Sequence, residues 1–241
     1  MSDTNARRFL DAFHAIEQVL RDRSTKPFAK NEEGFSNLVR DSKELAEGQK
    51  QRLRQYSRLR NAIVHNPYED GLVPIASPRN DVVQWMEAQA IIIERPPLVK
   101  DVLKLRDPQV LSEDDDVSIF LALAGEPTNF SQAPVRDVSG KLRLITTNSV
   151  ARWVAEQYAP GMGVVLDNAR VRDFTRFAED GDRLVLKPRD LRAVEAARIF
   201  GGSAGNPPAA IVLTEHGKDS ETPLGMCVQA DVAALLRSLG V

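Results

Sequence analysis

The feature that most constrains this chain is an order of elements that occurs twice. After Pro96-Pro97 the pattern changes to short apolar stretches alternating with helical ones. Leu98 to Leu103 leads to the apolar pair Val110-Leu111, and the acidic run from Glu113 to Asp116 opens a helix whose apolar face is Val117, Phe120, Leu121 and Leu123. Phe130 to Val135 and Leu142 to Thr146 read as extended stretches around a turn at Ser139-Gly140, and a helix follows from Val150 to Tyr158. The same β-α-β-β-α order returns: extended at Leu184 to Lys187, helical from Asp190 to Phe200, extended at Ala209 to Leu213 and at Leu224 to Val228, and helical from Gln229 to Leu239. An internal repeat decides more about a fold than any single residue does. Both copies end with a strand running straight into a helix. The glycine-rich stretch Gly201-Gly202-Ser203-Ala204-Gly205 follows a helix and not a strand, so it fits no phosphate-binding fingerprint and reads as a loop.

The first ninety-five residues have a different rhythm. Phe9, Phe13, Ile16 and Leu20 recur at intervals of three and four, widened by Leu10 and Val19, which makes an amphipathic helix. A polar break with Pro27 leads to a second helix carrying Phe35, Leu38 and Val39, with an interruption expected near Gly48. From Lys50 a third helix places Leu53, Tyr56, Leu59 or Arg60, and Ile63 on one side, and Pro67 must end it. After a loop with a short extended piece between Leu72 and Ile75, Ser77-Pro78 predicts the start of a fourth helix, which presents Val82, Val83, Met86, Ala90 and Ile93 inward. Four such helices imply a small bundle.

Charge and cysteine content narrow the function classes. A net charge of −2 and a pI near 6.0 exclude binding to nucleic acid by bulk charge, so any such binding needs a local basic patch. The third helix supplies one: Lys50, Arg52, Arg54, Arg58 and Arg60 stand together with no acid between Lys50 and Glu69. The ordinary account of such a run is a solvated face that pairs with acids elsewhere. Cys227 is the single cysteine, which rules out an internal disulfide and a multi-cysteine zinc site. No stretch approaches the ~20 apolar residues that span a bilayer, and the polar start lacks a signal peptide's apolar core, so a cytoplasmic protein is expected.

The chemistry-bearing candidates sit at the end of that basic helix, in Arg60-Asn61-Ala62-Ile63-Val64-His65. Asn61 and His65 are four apart on a helix and share a face, so the amide can orient the imidazole, with Arg60 one residue further round. In RNA the attacking 2′-hydroxyl belongs to the substrate. The protein then needs to move a proton, which histidine does near neutrality, and to hold phosphate oxygens, which arginine does with paired donors. No metal or other cofactor is required for this. The competing account makes His65 a favourable last-turn residue and Arg60 one side of a surface ion pair. His14 reads as structural and His216 as exposed in a polar turn.

A four-helix domain whose third helix ends in Arg60-Asn61-x-x-x-His65 resembles the HEPN superfamily. That resemblance implies a dimer with the two motifs facing each other and metal-independent endoribonuclease activity, with Arg60, Asn61 and His65 catalytic and Arg52, Arg54 and Arg58 on the RNA. Residues 97–241 resemble a pair of CBS domains. The resemblance rests on the two strand-to-helix junctions, Leu144-Ile145-Thr146-Thr147-Asn148-Ser149 and Gly225-Met226-Cys227-Val228-Gln229-Ala230-Asp231, on Gln132-Ala133-Pro134-Val135-Arg136-Asp137 before the glycine turn, and on the entry Val99-Lys100-Asp101-Val102. It implies an adenine-containing ligand (AMP, ADP, ATP or a relative) in the cleft between the copies, with a hydroxyl residue at the phosphates and an Asp three residues later on the ribose. Thr146 keeps the first but is followed by Ser149; Asp231 keeps the second but is preceded by Val228. Ala133 and Val135 complete the expected nucleotide site, and Asn148 reads as a helix cap.

The expected protein is therefore α+β, with an all-α HEPN-like bundle over 1–95 followed by CBS repeats over 96–160 and 161–241, packed as a pair. Its expected function is a homodimeric endoribonuclease regulated by an adenine nucleotide. The alternative is a non-catalytic nucleotide-sensing or dimerising module that binds RNA or a protein.

Overall fold

A computed structural model describes residues 2–24, 34–65, 67–68, 73–74, 76–105, 107–158, 160–161, 163–164, 166–203 and 205–241. The chain forms a mixed α+β protein in two compact units. The first comprises residues 1–97, 192–195 and 233–241; the second comprises 98–191 and 196–232.

The first unit is built on α1 (Ser2–Asp22), α2 (Phe35–Asp41), α3 (Glu47–His65) and α4 (Asn80–Glu94). The apolar stripe read from the sequence is the core: Phe9, Phe13, Ile16 and Leu20 of α1 meet Phe35, Leu38 and Val39, Leu53 and Ile63, and Val83, Met86 and Ile93. Each such side chain contributes roughly 1.5–3 kcal/mol on burial. Aromatic pairs run through it, Phe13 on Phe35 at 4.2 Å and the edge of Tyr56 on Trp85 at 5.4 Å between centroids.

Two helix starts differ from expectation. α3 begins three residues before Lys50, so Gly48 lies inside its first turn instead of interrupting a helix. The Gln49 side-chain oxygen accepts the Ala46 N–H at 2.8 Å, the reach-back half of a capping box, which settles the start there. α4 begins at Asn80 with Arg79 in extended conformation before it, so Ser77-Pro78 precedes the helix without capping it. Between α3 and α4, β1 (Pro67–Tyr68) pairs antiparallel with β2 (Val73–Pro74).

The second unit opens on α5 (Val99–Leu103). The duplicated order then follows in both copies. In the first, β3 (Leu111–Ser112) pairs parallel with β4 (Gln132–Arg136) across α6 (Val117–Ala124), β4 pairs antiparallel with β5 (Leu142–Thr146), and α7 (Thr147–Gln157) follows. In the second, β6 (Leu184–Pro188) pairs parallel with β7 (Ala210–Thr214) across α9 (Ala193–Phe200), β7 pairs antiparallel with β8 (Gly225–Val228), and a 3₁₀ turn at Gln229–Asp231 leads into α10 (Val232–Ser238). Asp116 caps α6 by accepting the Ser118 N–H at 2.9 Å.

Helix α8 (Val171–Thr175) follows α7, and Ala169, Val171 and Phe174 are buried in the first repeat's core with Leu111, Val117, Phe120 and Trp153. Backbone bonds from Val117 to Ala169 and from Val171 to Asp115 fasten this segment to the start of α6.

Candidate functional sites

At the first repeat junction β5 runs straight into α7, and Thr146 is the residue that turns the chain. Its hydroxyl accepts the Ser149 N–H at 3.0 Å, while the Ser149 hydroxyl oxygen accepts the Thr146 N–H at 3.1 Å and donates to the Thr146 carbonyl at 2.8 Å. This is a reciprocal capping box, and both residues are buried. The Thr146 hydroxyl also donates to the Asp182 carboxylate at 3.0 Å. Arg152, one turn further along α7, pairs with the other Asp182 oxygen and reaches Glu179 and the Phe177 carbonyl, each at 3.0 Å. Burial pushes the Asp182 carboxyl up, but the Glu179 N–H, the Arg152 guanidinium and the Thr146 hydroxyl together hold it below the usual range. Thr146 and Ser149 are thus members of a sealed polar network.

At the second junction the same backbone job is done by one side chain. The Asp231 carboxylate accepts the Val228 N–H at 2.9 Å, and Val228 has no hydroxyl to return the bond. Asp231 stays half-buried. The neighbouring Cys227 is fully buried, and desolvation, reinforced by the Asp231 charge, raises its thiol to about 12, so it is no nucleophile.

A cleft of about 370 Å³ lies between the repeats. Leu142 and Leu144 of β5 form one wall and Leu184 and Leu186 of β6 the other, with Arg143, Arg183, Glu179, Asp182 and Asp219 around them. The connection between β7 and β8 closes one side. The Asp219 carboxylate accepts the Leu142 N–H at 2.9 Å, and Arg136 donates to the carbonyls of Asp219 at 2.7 Å and Glu221 at 3.0 Å. Glu221 organises that connection by accepting the His216 N–H at 2.7 Å, and this bond first, then the His216 ring and the Lys218 N–H, lowers its carboxyl to about 2.

The lining thus combines apolar walls with three carboxylates and two arginines, of which Arg143 pairs with Asp137 at 3.1 Å. Ala133 and Val135 do not line this cleft. Their side chains point into the first repeat's core, at 3% and 0% exposure, because β4 is the middle strand and its inward positions are filled by packing. None of these leucines was expected at the site from the sequence. Nothing local marked Asp182 or Asp219.

In the first unit, Arg60 and Asn61 line a second cleft of about 370 Å³ with Phe13, Glu17, Phe35, Asn37 and Ser57. The Asn61 side-chain oxygen accepts from the Arg60 guanidinium at 3.2 Å, and that guanidinium lies 5.8 Å from the Phe13 ring centroid. Asn61 therefore engages Arg60. His65 closes α3, and its side chain lies outside the described residues. The basic face is partly spoken for: Arg52 stacks on Trp85 at 4.9 Å and Arg54 stands 3.8 Å from Glu47, an acid inside the helix because α3 starts early. Arg58 is exposed. Among the described residues no group of three or more His, Cys, Asp or Glu could hold a metal ion, and no helix is long and apolar enough to cross a membrane.

No protein-family model matches the sequence, and no curated protein matches it either. Among solved structures the chain is similar to a CBS domain-containing protein from Kribbella flavida, at 15% identity over 60% of this chain and 99% of that one, with a TM-score of 0.42. It is also similar to CBSX2 in complex with AMP, at 12% identity over 60% and 99% of the two chains, with a TM-score of 0.41. The CBS domain of the bacterial CNNM/CorC family Mg2+ transporter in complex with ATP is similar at 11% identity over 65% and 96%, with a TM-score of 0.42.

Proposed function

We propose that the second unit is a CBS-type module that senses an adenine nucleotide in the cleft between its repeats, and that the first unit is the HEPN-type effector it regulates. The cleft itself carries this reading, since both repeats contribute a leucine wall and an arginine to one space. The leucines take the base, Arg143 and Arg183 the phosphates, and the carboxylates at the rim the ribose hydroxyls. Thr146 acts by holding Asp182 in place, and Asp231 offers a carboxylate at the second junction. Calorimetry with AMP, ADP and ATP tests it: binding in the micromolar range, lost in Arg183→Ala and in Leu186→Glu, is expected. No heat with any of the three sinks the sensor.

The effector's output in this reading is RNA cleavage in a homodimer. Arg60 steadies the phosphate and His65 moves the proton while the substrate's 2′-hydroxyl attacks. RNA cleavage that survives His65→Ala unchanged removes it. A second reading makes the helical unit a non-catalytic binding module. It is favoured by the engagement of Arg60 with Asn61 and Phe13, of Arg52 with Trp85 and of Arg54 with Glu47.

A further inference from the structure

The segment that follows α10 is bound inside the first unit by a closed polar lock. The buried Leu239 carbonyl accepts the side-chain amides of both Gln49 and Gln89, each at 3.1 Å. The two amides also bond each other, Gln49 donating to the Gln89 oxygen at 2.7 Å, and the Gln49 oxygen caps the start of α3 through Ala46. Gln49 and Gln89 are 1% and 0% exposed, so no water can stand in for a missing partner. Next along, the Gly240 carbonyl accepts the Trp85 indole N–H at 3.3 Å. Gly240 has φ +72°, and a Cβ there would stand 2.5 Å from the Gln89 amide nitrogen, so only glycine fits.

Gln49 and Arg60 are eleven residues apart on α3. Eleven residues make just over three whole turns, so the two side chains leave the helix on nearly the same face. A group that pins Gln49 therefore pins the rotation of α3 about its axis, and with it the direction in which Arg60 meets Phe13 and Asn61. We propose that Gln49, Gln89 and the Leu239 carbonyl are positioning groups for Arg60. The functional weight of this positioning rests on the effector reading above.

The test is hydrogen exchange on the full chain, comparing α3 with α1 in the wild type, in Gly240→Ala and in Gln89→Leu. The lock predicts that α3 amides of both variants exchange on the order of ten- to a hundredfold faster, as for loss of one or two buried hydrogen bonds, while α1 keeps its protection. Unchanged α3 protection overturns the positioning role, and so does an equal loss in α1 and α3, which a merely stabilising contact would give.

Discussion

The two repeat junctions solve one backbone problem with different chemistry. A strand entering a helix leaves the first N–H groups without partners. At the first junction Thr146 and Ser149 satisfy each other and are then buried under Asp182 and Arg152; at the second, Asp231 alone accepts the Val228 N–H and stays half-buried. The first has become part of a core, and the second has kept an accessible carboxylate. The two copies thus differ in burial and chemistry although the backbones agree: Thr146 sits at φ −127°, ψ 156° and Val228 at φ −130°, ψ 172°.

The largest expected effect breaks the sealed copy. Asp182→Ala removes the acceptor of the Thr146 hydroxyl and one of the three partners of the Arg152 guanidinium. Removing one partner of a buried pair costs about 3–5 kcal/mol, and Arg152 keeps Glu179 and the Phe177 carbonyl, so a loss near the low end, about 3 kcal/mol, is expected. Urea denaturation followed by the fluorescence of Trp153, which lies in that core, measures it. A loss no greater than that of Asp231→Ala would erase the distinction between the junctions.

Acid sharpens the same point. The folded Asp182 carboxyl is held below its unfolded value of about 3.9. Its contribution is therefore complete above roughly pH 5 and is lost as the pH falls through the depressed folded value. The stability gap between wild type and Asp182→Asn should be widest at neutral pH and shrink below about pH 4. A gap that is flat with pH would show that the charge of Asp182 is not what seals the junction.

How much of this could be read in advance follows from where each signal lies. The doubled order was legible because every strand and helix carries its own pattern. Ile211, Val212 and Leu213 form a continuous apolar run that β7 buries completely, and Phe9, Phe13 and Ile16 mark a helix face. The two junctions were legible as motifs for the same reason, since Thr146 and Ser149, like Val228 and Asp231, stand three residues apart. Asp182 was not, because it stands 36 residues from Thr146 in a connecting segment with no periodicity, and only tertiary packing brings it there. The attachment of α8 to the first repeat and the early start of α3 escaped in the same way, since one depends on backbone bonds from Val117 and Val171 and the other on a glutamine cap. At the motif of α3, spacing correctly put Arg60 and Asn61 together. It did not show that Asn61 would hold the arginine.

A smaller effect is expected at the open copy. Asp231→Ala removes one cap acceptor, worth about 0.5–2 kcal/mol, while taking away the carboxylate assigned to the ligand. Stability should fall by about 1 kcal/mol and ATP affinity by tenfold or more. An unchanged affinity by calorimetry would move the ligand wholly into the leucine-walled cleft and leave Asp231 as a cap.

The smallest effect tests whether the copies are interchangeable. Val228→Thr places a hydroxyl where the first junction has one, on a backbone of nearly the same φ and ψ. The new oxygen can accept the Asp231 N–H and complete the reciprocal cap, which favours the fold by about 1 kcal/mol. Replacing a methyl of a half-buried valine by hydroxyl opposes this by a similar but smaller amount. A net gain of about 0.5 kcal/mol is expected in urea denaturation. The same hydroxyl stands beside Asp231, so ATP affinity should rise by several-fold. A gain in stability without a gain in affinity would mean that a complete cap is a structural device in both repeats, and that the second junction binds through Asp231 alone.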